Sequence, residues 1–214
     1  MILRRPNLPL MESPLAAATT GLLTGAALII AIGAQNAYVL RLGIRRQHVL
    51  PVVAICALSD AVLIAAGVGG MGALVEAAPT AITAIRWIGA AFLITYGLMA
   101  ARRAFHAEHL EAATGPVHVS RRTAVLTTLA FTWLNPHVYL DTLVFLGSVA
   151  TTHADLRWWF GAGAAAASLL WFAGLGYGAR LLGPLFEKPR AWRILDGLIA
   201  VVMLTLGATL ALGH

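Results

Sequence analysis

The sequence predicts an all-α integral membrane protein, its six transmembrane helices arranged as two inverted three-helix repeats. Three observations lead there. Of 214 residues, 59% are hydrophobic and 11% charged, whereas a soluble domain has about 45–50% apolar and about 25% charged residues; the mean hydropathy is +0.81. The apolar residues gather into six runs, each near the roughly 20 residues needed to cross a hydrocarbon core. Two short motifs, one in the first run and one in the fourth, resemble each other.

The runs cover about residues 15–40, 49–75, 79–101, 124–150, 158–179 and 194–212. The whole chain, 1–214, reads as one transmembrane domain with a short tail at 1–14 and its longest connector at 102–123. Arg4 and Arg5 ahead of the first run imitate a secretion signal. That run, however, has 26 uncharged residues, longer than the roughly 7–15-residue apolar core of such a signal, so it stays as a helix. Met11 opens "MESPLAAATTG", and residues 1–10 read as an upstream extension without a structural task.

The third run contains Arg86, within two turns of one end and beside Trp87, where its long side chain reaches the headgroups. Trp158, Trp159 and Trp192 fall at run ends and suit interfacial anchoring. The fifth run, with "GAGAAAASLLWFAGLGYG", favours close helix packing. Cys56 is the only cysteine and lies in an apolar run, so it reads as a small buried hydrophobe that forms no internal disulfide.

The net charge of +6 does not indicate nucleic acid, because the basic residues are confined to short connectors. Eleven of the 15 lie after the first, third and fifth runs: Arg41, Arg45 and Arg46; Arg102, Arg103, Arg121 and Arg122; and Arg180, Lys188, Arg190 and Arg193. Cytoplasmic loops are the basic ones. That rule puts these connectors in the cytoplasm and both termini outside, and it makes 102–123 a cytoplasmic connector. His106, His109 and His118 fall there with Glu108 and Glu111, and the segment reads as a solvated, partly helical linker.

The repeat rests on "IGAQNAYVL" (Ile32 to Leu40) and "WLNPHVYLD" (Trp133 to Asp141). Each has a helix-disturbing residue, a carboxamide, and a tyrosine between aliphatic residues. Three helices per half invert one half against the other, and broken helices in matching positions build transporter sites near the midplane. Pro136 removes a backbone N–H and clashes with the carbonyl four residues back, near Thr132; Gly33 weakens its helix more gently. Backbone groups freed in hydrocarbon need partners from protein or from a water-lined cavity. Gln35, Asn36 and Asn135 supply them, or line a ligand site; polar contact between helices is the plainer use of such residues.

Asp60 and Asp141 lie deep in the second and fourth runs, and Arg86 is the only basic residue within any run. An aspartate at a helix centre costs about 2.5–3.5 kcal/mol on insertion. Without a permanent cation, such a carboxylate stays protonated, faces water, or meets a cation that comes and goes. His137 stands four residues before Asp141 and so shares its helix face. One histidine and one aspartate are too few ligands for a metal site, and no cofactor is called for.

"IGAQNAYVLRLGIRRQHVL", "CALSDAVLIAAGVGG" and "TWLNPHVYLDTLVFLGSVA" resemble the lysine exporter family of the LysE/ArgO type, and the resemblance extends over nearly the whole chain. It implies an exporter of lysine or arginine in the bacterial inner membrane, with Asp60 and Asp141 as functional acids and Asn135-Pro136 as a signature. Tyr139 and His137 fall within the same signature stretch. Relatives commonly carry proline where this chain has Ala34, which implies a milder first break. Exporting a +1 amino acid against an inside-negative potential costs about 2.3 kcal/mol per 100 mV, so a coupling ion is needed. The partners on this reading are the cationic amino acid, protons and the lipid bilayer, with a homo-oligomer left open. The rival readings are a divalent-metal exporter, which calls for a His- or Cys-rich segment, and a membrane enzyme built on His137 and Asp141. A purely structural membrane protein is the last alternative, and it leaves both aspartates unexplained.

Overall fold

The computed structural model describes residues 13–30, 33–73, 77–114 and 118–212, with the backbone alone for 106–114. Among them every regular element is helical. Helix α1 is Pro14–Ile29, α2 Ala34–Ile44 and α3 Val49–Val68, followed by the long α4, Pro79–Thr114. Next come α5 Arg121–Trp133, the short α6 Pro136–Tyr139, a π-helical turn Leu140–Phe145 and α7 Leu146–Thr152. Helix α8 is Arg157–Gly178, a 3₁₀ segment covers Ala179–Glu187, and α9 is Pro189–Leu212.

Among the described residues, four helical stretches are long and apolar enough to cross a membrane: Val49–Val68, Pro79–Phe105, Ala154–Glu187 and Pro189–Leu212. Helices α1 and α2, taken as one span bent by 85°, make a fifth. The expected fourth run, 124–150, is not one helix; it is divided among α5, α6, the π turn and α7.

Local chemistry sets several boundaries. Ser13 caps α1 by accepting from the Ala16 N–H, with Pro14 in the first turn, and Ser120 caps α5 through the Thr123 N–H. The second run was expected to reach residue 75, yet α3 stops at Val68. Gly69 follows it, and Gly70 adopts φ +96°, a backbone setting natural only to glycine. The third run was expected to end at 101, but α4 continues to Thr114. The connector is thus helical through Thr114, while the side chains of His106, Glu108, His109 and Glu111 lie outside the described residues, as do Arg4, Arg5 and Met11.

Helices far apart in the chain pack against one another. Helix α9 lies along α4, α1 lies along α8, and α3 packs on α8, α5, α7 and the π turn. The approach of α1 to α8 is close: a Cβ on Gly21 would stand 1.9 Å from the Phe160 carbonyl oxygen. Small residues let apolar helices approach this near without a hydrophobic driving force. Cys56 is fully buried. Arg86 holds its guanidinium carbon 5.6 Å from the centroid of the Trp87 ring, and Trp158 and Trp159 are exposed at the start of α8.

The three basic connectors meet at one end of the molecule. Arg45 stacks on Trp192, 4.6 Å from its ring centroid, and Arg193 Nε donates to the Ala104 carbonyl at 3.2 Å. The Gln47 side-chain oxygen accepts from the Val119 N–H at 3.1 Å, while His48 Nε2 lies 2.8 Å from the Val119 carbonyl.

Candidate functional site

Two helix breaks face one cavity. At the first, α2 restarts behind Gly33, an extended N-cap (φ −121°, ψ 171°) that offers no side-chain cap. Asn36 Nδ2 donates to the Ile29 carbonyl at 2.9 Å, the last residue of α1. The Asn36 side-chain oxygen accepts from Trp171 Nε1 at 3.2 Å. A milder first break was expected because Ala34 stands where relatives carry proline. Here a glycine cap and the Asn36 side chain serve the break without a proline.

At the second break, Leu134 closes α5. Asn135 caps α6, its oxygen accepting from the His137 N–H at 3.1 Å. Pro136 occupies the first helical position, where a missing N–H would be unpaired in any residue. The Tyr139 hydroxyl donates to the Trp133 carbonyl at 2.8 Å. Each break therefore uses an asparagine side chain in place of a lost backbone partner. Helix α4 approaches the second break through Gly89, where a Cβ would stand 1.9 Å from the Leu134 carbonyl oxygen. Asp141 then falls on the π-helical turn, a widened helical geometry that re-aims side chains and recurs at functional sites.

The cavity between the breaks has a volume of about 250 Å³, far above the about 10–15 Å³ that one water requires. Leu28, Ile64, Leu146 and Phe172 give it an apolar wall, and Gln35, Asn36, Asp60, Asn135, His137 and Asp141 supply the polar groups. Six of the eight residues singled out in the sequence thus line one space. The other two do not. Pro136 is buried in the break, and the Tyr139 hydroxyl is taken by the Trp133 carbonyl.

Asp60 is 7% exposed and accepts from Ser168 Oγ at 2.6 Å. Asp141 is half-buried. Among the described residues Gln35 Nε2 is buried with no hydrogen-bond partner. Among the described residues no Lys or Arg lines the cavity. Two carboxylates on a space with apolar walls and no resident cation can take a proton or a cationic ligand group.

Several participants escape a reading of motifs. Ser168 is the twelfth residue of α8, as Asp60 is of α3, but it lies in a small-residue run that marks it as packing. Trp171 was visible only as part of an apolar run. Arg41 was placed in a connector, and Arg86 taken as the only basic residue within a run. Instead Arg41 lies in the last turn of α2, 5% exposed. It is ion-paired with Asp196 of α9, a second buried aspartate beside Asp60, whose signal was its place just inside the sixth run.

The sequence profile of the LysE type translocator family matches residues 26–214, and the chain belongs to that family. It is 53% identical over 176 residues to the Mycobacterium tuberculosis protein named "Putative amino-acid transporter Rv0488", covering 82% of this chain and 87% of that one. It is 44% identical to the arginine exporter protein ArgO of Pectobacterium carotovorum, over 89% of this chain and 94% of that one. It is 37% identical to the lysine exporter LysE of Corynebacterium diphtheriae, over 90% and 97% of the two chains. No solved structure matches the chain.

Proposed function

We propose that the protein is a secondary active exporter of cationic amino acids, L-lysine and L-arginine, working by proton antiport in the bacterial inner membrane. The observation that carries this reading is the cavity that Asp60 and Asp141 both line, with no Lys or Arg among the described residues of its lining. A resident counter-ion would compete with a cationic cargo; its place here is open. Relatives named as lysine and arginine exporters indicate which cations fit.

Moving a +1 cargo outward opposes an inside-negative potential, at about 2.3 kcal/mol per 100 mV. Exchange for one proton removes that electrical cost, and the pH gradient then drives the cycle. Asp60 and Asp141 hold a proton on the inward stroke and the cargo's ammonium or guanidinium groups on the outward one. Asn135, Asn36, Gln35 and His137 orient the cargo from the surrounding wall. Tyr139 and Pro136 act one step away by shaping the second break.

Two further features support the architecture. The crosswise packing of α1 on α8 and of α3 on the broken segment, with α4 along α9, is the pattern two inverted three-helix halves would produce. The clustering of the basic connectors at one end fits a cytoplasmic placement of that end, with both termini outside. The test is counterflow of labelled lysine and arginine in proteoliposomes, with and without a pH gradient. Exchange of both, quickened by a gradient acid on the side opposite the cargo, is expected. Absence of exchange for either amino acid sinks the proposal, and exchange indifferent to the gradient sinks the proton coupling.

A further inference from the structure

Two helices, α2 and α9, run from the cavity to the basic end with a distinctive residue at both places, and α4 packs along α9 beside them. On α2, Ala34 lines the cavity, and Tyr38 and Arg41 follow it four and seven residues on, on the same helix face. On α9, Leu206 lines the cavity, and Asp196 lies ten residues nearer the basic end, about 15 Å at 1.5 Å per residue. On α4, Phe92 and Tyr96 precede Arg103, whose guanidinium carbon is 5.6 Å from the Tyr96 ring centroid.

The rings of Tyr38, Phe92, Tyr96 and Phe131 interlock, with centroids 4.9 to 6.3 Å apart. Beyond them Asp196, 5% exposed, is ion-paired with Arg41 and with Arg103, the latter at 3.2 Å. This aromatic plug, of which Phe92 and Phe131 line a small pocket beside the cavity, and the buried carboxylate occupied by the protein's own guanidinium groups lie on the helices that link the cavity to the basic end.

We propose that Asp196 is a second cation site, where a cationic amino acid entering from the basic end docks by displacing Arg41. This inference rests on the export reading above and adds the entry site. The incoming group, a guanidinium or an ammonium, has the chemistry of the group it replaces. Because Arg41 and Tyr38 share one face of α2, release of Arg41 from Asp196 frees the face that closes the plug, and the path toward Asp60 and Asp141 opens. Arg41 acts as a built-in competitor. It raises the cargo concentration at which docking succeeds, so export sets in only when the internal pool is large.

The experiment measures arginine flux from the basic side in proteoliposomes of known orientation, for wild type, Arg41→Gln and Asp196→Asn, each first shown to elute as a single folded species. Removing the competitor lowers the half-saturating arginine concentration about tenfold. Removing the carboxylate raises it about thirtyfold. Half-saturation from the opposite side stays unchanged in both. Arg41→Lys and Asp196→Glu keep every charge and shift the constant in the same two directions by smaller factors, which keeps the test open where a neutral variant does not fold. If the Arg41 and Asp196 variants move the constant in the same direction, or not at all, the triad is only a structural tie and the inference is overturned. If wild-type protein moves neither lysine nor arginine, the export reading itself has failed.

Discussion

Asp60 and Asp196 are almost equally buried, 7% and 5% exposed, yet they stand in opposite chemical situations. Asp60 faces a cavity and has a serine hydroxyl as its partner. Asp196 is tied to two guanidinium groups in a packed interface. Burial alone therefore says little about the task of a membrane carboxylate. What matters is whether its counter-charge is resident. A neutral partner leaves the charge free to be met by a proton or a cargo; two arginines fix it in place, and only another cation can claim it.

The sharpest way to break that comparison is to make the same substitution at both sites. Asp60→Asn is expected to leave a folded protein, since the amide keeps a contact with Ser168 and no charge remains to be desolvated. Export should fall by at least about a hundredfold, as a transport carboxylate has no neutral substitute. Asp141→Asn should behave alike. Flux assays beside thermal unfolding in detergent would measure both, and normal export by the two variants would refute the proposed mechanism. Asp196→Asn should instead lower stability by about 3–5 kcal/mol, because it strands a buried guanidinium. An unchanged unfolding curve would mean that the pair contributes nothing to the fold.

A smaller effect separates the two breaks from the carboxylates. Asn36→Ala removes the partner of the Ile29 carbonyl and of the Trp171 indole, so a loss of about 1–3 kcal/mol is expected with export reduced but measurable. Complete loss of export in a fully stable Asn36→Ala protein would move Asn36 from scaffold to cargo contact. Smallest of all, Tyr139→Phe deletes the hydrogen bond to the Trp133 carbonyl. It should cost about 1 kcal/mol and change flux little. A dead but well-folded Tyr139→Phe transporter would show that the tyrosine touches the cargo after all.

Much of the site was legible because lipid makes polar groups conspicuous. Asp60, Asp141, Asn135 and His137 stand out in apolar runs, and all four do line the cavity. Tyr139 was singled out by the same reasoning, yet its hydroxyl goes to a backbone carbonyl. Motif spacing cannot tell a group that serves the break from one that serves the cavity. Arg41 misled for a related reason. Basic residues at a run's end usually reach for headgroups, and only the packing of α9 against α2 brings Asp196 to Arg41. The first break carries no proline; a glycine cap and an asparagine side chain serve it.

The sequence by itself determined the membrane class, the apolar segments, the two weak points in the helices and the acids too costly to be idle. Those follow from composition and from the absence of water in the bilayer, which act on each residue locally. Tertiary structure decided which aspartate is free and which is tied. It also decided that Ser168 and Asp60 meet across two helices, and that four aromatic rings from three helices interlock. These depend on the rotation and close approach of helices far apart in the chain, set by contacts such as Gly21 on Phe160 and Gly89 on Leu134. No local pattern encodes such distances, because they are properties of two surfaces fitted together.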